Sequence, residues 1–405
     1  MNYEESIKLL TSAGKFQIKL GLERIRAILK LIGNPQDGLK VIHIAGTNGK
    51  GSVCAVLSNI LKCSGYKTGL YTSPHLIEYT ERIQINGNKI TKKDLADLIK
   101  EISVVAEKNN IDLTEFEILT ACAFKYFNDN NVDFAVIETG LGGRFDATNV
   151  CKNPICTIIT SISSDHTDRL GNTIEEIAFE KAGIIKQNSP IIISKLNSGY
   201  EVIKNEALKK EADIITVEKD ADIIYKNGIN YALIKNKKYE FPLLGIYQKQ
   251  NLALVLTAID LLIQKGYKTD IEEGLKTVEW PARLQYIKEK NLLIDGAHNP
   301  SAAEELKKSL DYYFPNQKKI YIYGTINTKD YKTISKILFT ENDEIYYYEF
   351  HHNNAVSLPE YQNNVPFLKN IKPYSDEILK KKELKILTGS LYMIGEFLKN
   401  NKNFS

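Results

Sequence analysis

A chain of 405 residues is longer than one hydrophobic core usually organises, so two domains are expected. Apolar and charged fractions of 43% and 25% exclude a disordered or fibrous chain, and a net charge of +3 gives no support to nucleic-acid binding. Five cysteines without C-x-x-C spacing point to reduced thiols rather than zinc or disulfides, and neither a leader peptide nor an 18-residue apolar run predicts secretion or a membrane span.

Val41, Ile42, Ile44 and Ala45 predict a short buried strand, and residues 52–61 predict a helix. Between them lie Gly46, Thr47, Asn48, Gly49, Lys50, Gly51 and Ser52. Several backbone N–H groups can converge on one anion only where side chains are absent, and a helix N-terminus adds its positive dipole end. The loop therefore reads as a phosphate cradle, with Lys50 reaching the outer phosphates; a plain glycine turn is the competing reading. It departs from G-x-x-x-x-G-K-[ST], because Gly51 stands where the magnesium-binding hydroxyl would follow the lysine. That hydroxyl comes either from Ser52 or from elsewhere in the fold.

Strand and helix patterns then alternate. The segments "DFAVIETGLGG" (133–143), "ICTIITSIS" (155–163) and "SPIIISK" (189–195) predict strands separated by helices, hence a parallel sheet. Residues 213–241 shorten and alternate around Asn227-Gly228, which predicts a small β appendage. A helix is expected over about 248–265, followed by a stiff junction at Trp280 and Pro281. Beyond it, "NLLIDGAHNP", a helix around 301–313, "KIYIYGTI", "DEIYYYEF" and "ELKILTGSLYMIGEFL" predict a second α/β alternation. Domains are accordingly expected over 1–281 and 282–405.

Ligands of open α/β sheets collect at strand carboxyl ends. Ser73 in "YTSPH", Glu138 before "TGLGGRFDATN" and His166 in "SSDHTDRLG" each follow a predicted strand. The hydroxyl and carboxylate suit Mg²⁺, whereas His166 alone reads better as an orienting or core histidine. Thr173 with Glu176 forms a capping box, and Lys181 shares a helix face with Ile174, Ile177, Ala178, Ala182 and Ile185. Burial there would lower its pKa and allow a neutral amine to take up CO₂ as a carbamate; alternatively the stem lies on the surface with its head in water. Arg283, Asp295 and His298 near the junction and Asn251 early in the long helix could hold phosphate and ribose, or serve as caps and turn residues.

Together these segments resemble the folylpolyglutamate synthase/dihydrofolate synthase family of the Mur ligase superfamily. The resemblance rests on "KFQIKLGLERI", "HIAGTNGKGSV", "YTSPHL", "ERIQING", "FEILTACAF", "ETGLGGRFDATN", "DHTDRLGNTIEEIAFEKAGIIK", "WPARL", "DGAHNP" and "TGSLYMIGE", in order from about residue 15 to 396. It implies an N-terminal P-loop-type parallel-sheet ATPase domain with a small β appendage and a smaller C-terminal Rossmann-like domain, with the active site between them. It assigns Gly46 to Ser52, Asn251, Arg283, Asp295 and His298 to ATP, and Ser73, Glu138, His166 and a carbamylated Lys181 to Mg²⁺, so that Ser73 supplies the displaced hydroxyl. Lys50, Lys181 and His166 become the catalytic residues. Thr114, Glu115, Phe116, Glu117, Phe145, Asp146 and Ala147 become pterin contacts. Ala282 stands where the family commonly has glycine.

The implied reaction is ATP-dependent ligation of L-glutamate to reduced folates and to 7,8-dihydropteroate through an acyl phosphate, in a cytoplasmic monomer without nucleic-acid or membrane partners. A P-loop GTPase could claim "DRLG" (168–171), but no N-K-x-D motif follows. A cell-wall Mur ligase is disfavoured by "FEILTACAF" and "GRFDATN". Because Lys50 and Glu138 precede the junction while Arg283 and Asp295 follow it, a fragment ending at residue 281 is expected not to turn over ATP with glutamate and folate. Coupled ADP-release assays on fragment and full chain check this.

Overall fold

In the computed structural model of the chain, which describes residues 1–13, 21–165 and 167–401, the first strand, β1 (Val41–Ala45), is buried at every position. A strand apolar on both faces must be covered on both, and β1 lies inside an eight-stranded sheet. The remaining strands of this sheet are β2 (Thr68–Tyr71), β3 (Ile83–Ile85), β4 (Asn88–Lys89), β5 (Phe134–Glu138), β6 (Cys156–Ile159), β7 (Ile191–Ser194) and β8 (Ile214–Val217). Their order is β4-β3-β2-β5-β1-β6-β7-β8, parallel from β2 to β8, with β3 and β4 added antiparallel at one edge.

The order decides where the site forms. β1 pairs with β5 (Ile44 opposite Glu138) on one side and with β6 (Ile44 opposite Ile158) on the other. The chain leaves β1 by way of the helix Lys50–Cys63, pairs β2 beyond β5, and later returns to place β6 on the opposite side of β1. This reversal is a topological switch point, and the loops after β1, β5 and β6 share it. One face of the sheet packs with the helices Tyr3–Ser12, Glu23–Leu31, Lys92–Lys108 and Glu115–Asp129, and another core forms around Ile174–Lys181 and Tyr200–Lys209.

By its contacts the chain divides into Met1–Asp222 with Gln250–Val278, and Ile223–Lys249 with Glu279–Ser405. The region read from sequence as one β appendage is therefore split. β8 joins the large parallel sheet, whereas β9 (Asp222–Lys226), β10 (Ile229–Ile234) and β11 (Lys237–Glu240) form a three-stranded sheet that belongs with the C-terminal residues. The expected turn is present, with left-handed Asn227 (φ 54°) and Gly228 (φ 82°). Asn230 ties the small sheet to its unit, donating from Nδ2 to the Leu243 carbonyl (2.9 Å) and to Tyr313 Oη (3.1 Å).

The second unit holds β12 (Gln285–Ile287), β13 (Leu292–Asp295), β14 (Lys319–Tyr323), β15 (Glu344–Tyr347), β16 (Ile371–Pro373) and β17 (Leu384–Thr388) in the order β12-β13-β17-β14-β15-β16. All but β12 run parallel, as expected of a Rossmann-like sheet. β16 has no counterpart in the sequence reading, because three residues ending in proline carry too little alternation to register. All five cysteines are free, and no described helix is long and apolar enough to cross a membrane.

His43 on β1 is fully buried, 2.8 Å from Thr148 Oγ1 through its Nε2. Thr148 Oγ1 donates its single proton to Asp146 Oδ1 (2.5 Å), so it must accept from His43, which is the neutral Nε2–H tautomer. Burial, with the positive charge of Lys186 nearby, holds the imidazole pKa down at about 3. Protonation is easier in the unfolded chain, so the stability tied to neutral His43 is complete above pH 6.5 and is lost as the pH falls towards 3. His43→Gln should flatten the acid limb of stability by up to about 1.4 kcal/mol per pH unit between pH 6.5 and 4. Urea unfolding at stepped pH reads this, and equal slopes would refute it.

Candidate active site

The loop after β1 is held almost wholly through its backbone. Thr47 N–H donates to the Ser161 carbonyl (2.7 Å), and Asn48 N–H donates to Ser161 Oγ (3.3 Å). The Thr160 and Ser161 hydroxyls donate to the Asn48 carbonyl at 2.7 and 3.1 Å. Thr47 Oγ1 donates to the Ser163 carbonyl and accepts from the Ser163 N–H, both at 3.1 Å. Sequence reasoning overlooked Thr160, Ser161 and Ser163. The signal was the polar "TSIS" closing an apolar strand, where carbonyls and amides of a neighbouring loop need partners.

Two glycines are required sterically. Gly46 has φ 148°, and a Cβ there would collide with Thr160; at Gly49 (φ 89°) it would lie 2.3 Å from Asn251 Oδ1. Asn251, buried in the helix Gln248–Gln264, therefore packs directly on the loop. Gly49 caps the helix Lys50–Cys63, whose first turn carries Gly51 and Ser52, both buried.

Lys50 Nζ folds back to donate to the Gly46 and Thr47 carbonyls, each at 3.1 Å. Lys181 Nζ donates to the same Gly46 oxygen at 2.8 Å. Lys181 is only 4% exposed, so the structure selects the buried reading over the solvated one. Desolvation, reinforced by Lys50, lowers its pKa to about 7, against the opposing pull of Asp165 and Asp146. Two amines on one carbonyl oxygen make a cradle suited to anionic groups.

Glu138 ends β5 with its carboxylate buried, and Ser73, which follows β2, donates its N–H to Glu138 Oε2 (3.1 Å). β2 pairs with β5, so the structure brings these two expected metal residues together. They are oxygen donors of the kind Mg²⁺ takes, and Thr139 Oγ1 beside them is buried without a hydrogen-bond partner. His166, the third expected ligand, lies outside the described residues. Among the described residues no three His, Cys, Asp or Glu side chains gather around one point.

The segments expected to touch the pterin divide by role. Thr114 caps the helix Glu115–Asp129, and buried Glu117 closes the capping box while pairing with Arg24 at 3.2 Å. Both are committed to the helix start. Phe116 lies across Gly140, where a Cβ would come within 2.5 Å of its ring, and it stacks on Tyr71. Glu115 accepts from Tyr79 Oη (3.1 Å). Phe145 is 45% exposed, but Asp146 and Ala147 are buried. Asp146 turns into its own loop, accepting from the Leu141 N–H (2.8 Å), the Thr148 N–H (3.0 Å) and the Thr148 hydroxyl.

In the second unit Arg283 stands between two left-handed residues, Ala282 (φ 56°) and Leu284 (φ 45°). Such backbone is costly outside glycine, so the surrounding bonds must hold it. Asp295 does so, accepting from the Leu284 N–H (2.8 Å), the Ala297 N–H (2.9 Å) and Tyr247 Oη (3.3 Å). Ala282 accepts from the Gly296 N–H (2.9 Å). The position where the family commonly has glycine thus needs left-handed backbone, which alanine adopts here at a strain cost. His298 Nδ1–H donates to the Gly296 carbonyl (2.8 Å).

Two family models match the chain: the Mur ligase middle domain over residues 44–259 and the dihydrofolate synthetase C-terminal domain over 282–372. The dihydrofolate synthase/folylpolyglutamate synthase of Bacillus subtilis is 34% identical over 430 aligned positions, covering 99% of each chain. The chain belongs to the folylpolyglutamate synthase/dihydrofolate synthase family. Its fold matches Escherichia coli FolC in complex with DHPP and ADP (TM-score 0.87, 26% identity, 100% of this chain and 98% of that one). It also matches the bifunctional folylpolyglutamate synthase/dihydrofolate synthase of Yersinia pestis complexed with AMPPNP and a Mn ion (TM-score 0.86, 26% identity, 99% and 98% covered). As a member of this family of ATP-dependent ligases, it is an enzyme that uses ATP, and the expectation from the sequence is met at that level.

In this synthase Gly49→Ala would force a β-carbon into Asn251 and strain the backbone, so nucleotide affinity should fall at least ~10-fold. Calorimetric titration with ADP checks it; unchanged affinity would show that the loop does not hold the phosphates.

Proposed function

We propose that this enzyme ligates L-glutamate both to 7,8-dihydropteroate and to reduced folates, and that the residues around Gly46 perform the phosphoryl transfer. A carboxylate oxygen of the pteroate or folate attacks the γ-phosphorus of ATP, and ADP leaves. The amine of glutamate then attacks the acyl carbon, an amide forms, the amine gives up a proton, and phosphate leaves. Such chemistry needs positioning and charge neutralisation more than a protein nucleophile.

The loop amides and Lys50 hold the outer phosphates, and Asn251, which packs on the loop, lies beside them. Ser73, Glu138 and His166 hold Mg²⁺, which when bound neutralises phosphate charge. The Lys181 amine adds to CO₂ and releases one proton, so a cation becomes an oxygen ligand. The observation that carries this reading is the meeting of the Lys50 and Lys181 amines on the Gly46 carbonyl. One of them is buried and is held near neutral pH in its titration.

Phe116 and Phe145 offer apolar surface to the pterin and Glu115 offers a carboxylate, while buried Asp146 fixes the loop that carries Phe145. The two acceptors differ in where the reacting carboxylate lies, on the p-aminobenzoate ring or on a glutamate beyond it. Serving both requires the pterin to sit at two depths, or in two sites.

The enzyme is supplied with ATP, Mg²⁺ and glutamate, together with either 7,8-dihydropteroate or a reduced folate monoglutamate. ADP and a product heavier by one glutamyl unit are expected with both. No product from dihydropteroate would restrict the enzyme to chain extension, and none from either would overturn the reading. Lys181→Ala should lose at least ~100-fold in kcat, with partial rescue by formate or acetate standing in for the carbamate. Absence of a carbamate signal from the wild-type enzyme in [¹³C]bicarbonate would remove the role given to Lys181.

A further inference from the structure

The sequence segments "GRFDATN" and "EKAGIIK" end in Asn149 and Lys186, neither of which the proposed chemistry uses. The structure joins them. Asn149 is 4% exposed, and its Nδ2 donates to the Arg144 carbonyl (3.0 Å) and to the Gly183 carbonyl (3.1 Å). Lys186 Nζ donates to Asn149 Oδ1 (2.7 Å) and to the Asn149 carbonyl (3.1 Å). One amide thus bridges the residue before Phe145 and the residue two places after Lys181.

The surrounding backbone leaves no slack. Arg144 N–H donates to the Glu180 carbonyl (2.8 Å). A Cβ on Gly143 would lie 2.8 Å from the Lys181 carbonyl, and one on Gly183 would lie 2.2 Å from Arg144 Cα. Glycine at both positions lets the loop press backbone to backbone against the last turn of Ile174–Lys181. Lys181 in turn reaches the Gly46 carbonyl. A continuous line of close contacts therefore runs from residues 145–147 to the phosphate loop, and Asn149 is the side chain that closes it.

We infer that Asn149 is a positioning residue that couples occupancy of the 145–147 segment by a pteroate or folate to the placement of the Lys181 amine. The inference rests on the pterin contact proposed for that segment, but not on carbamylation. Its advantage for the reaction is order. An acceptor seated on the loop draws Lys181 into register, so the site assembles around phosphate only when a carboxylate is present to receive it.

A thermodynamic cycle on full-length enzyme tests the coupling. Dihydropteroate affinity is measured for wild type, Lys181→Ala, Asn149→Ala and the double variant, with ADP affinity in parallel. Lys181→Ala should weaken dihydropteroate binding ~5-fold in the wild-type background and less than ~2-fold in the Asn149→Ala background. ADP affinity should stay within ~2-fold when Asn149 alone is replaced, a pattern general loosening would not give. Equal effects of Lys181→Ala in both backgrounds would overturn the inference. Should Asn149→Ala fail to fold, Lys186→Met removes the partner of Asn149 Oδ1 at a partly exposed position and carries the same cycle with the same criterion. Failure of every form to bind dihydropteroate would overturn the inference as well, and the product assay with reduced folate then shows whether the ligase reading survives it.

Discussion

The carbonyl oxygen of Gly46 accepts from two lysine amines, Lys50 and Lys181, and the site is organised around that point. Two full positive charges so close together in a dry site repel strongly. Burying one lysine eases the conflict by favouring its neutral form, and negative groups from substrate would resolve it. The oxygen can sit there because Gly46 has a backbone conformation that side-chained residues rarely adopt, and because Thr160 fills the space a Cβ would take. The electrostatics of the site thus follow from a steric fact about one glycine.

Around this point the fold spends buried polar side chains on holding loops in place. The Thr160 and Ser161 hydroxyls and the Ser163 backbone grip the glycine loop from the end of β6. Asp146, Thr148 and His43 form a buried chain under the loop after β5. Burying such groups carries a desolvation cost that these hydrogen bonds offset, which disfavours arrangements that would break them. Asp295 repeats the device in the second unit, where its carboxylate fastens the left-handed backbone on either side of Arg283.

Acidic residues that looked alike in sequence serve different ends. Glu117 and Asp146 satisfy backbone amides beside them, whereas Glu115 carries a hydrogen bond from Tyr79 at a more open position. Glu138 is set apart by its strand, since the pairing of β5 with β2 brings it to Ser73. A carboxylate's chemistry here depends on which donors reach it first, and neighbours in the chain usually do.

Local signals made much of this legible in advance. The strand–glycine loop–helix unit, the capping box at Thr173 and the Asn227-Gly228 turn are written in adjacent residues, because each depends on hydrogen bonds between groups a few positions apart. The motifs from residue 15 to 396 likewise marked the ligase family, the run of strand-end residues pointed to Ser73, Glu138 and His166, and helical phase pointed to Lys181. Other features had no local trace. Helical phase put Lys181 on an apolar face but left its amine either wet or dry; the Gly46 carbonyl, 135 positions away, decided it. The small β-sheet was read with the wrong half of the chain, because short alternating strands show their own pairing and not the core that receives them. The grip of Thr160 on the loop after β1 and the bridge of Asn149 between two segments exist only once β6 has been laid beside β1 and residues 140–149 against 180–186. Periodicity and caps are short-range and survive in a linear reading, whereas burial and long-range hydrogen bonds come into being only when distant segments close on one another.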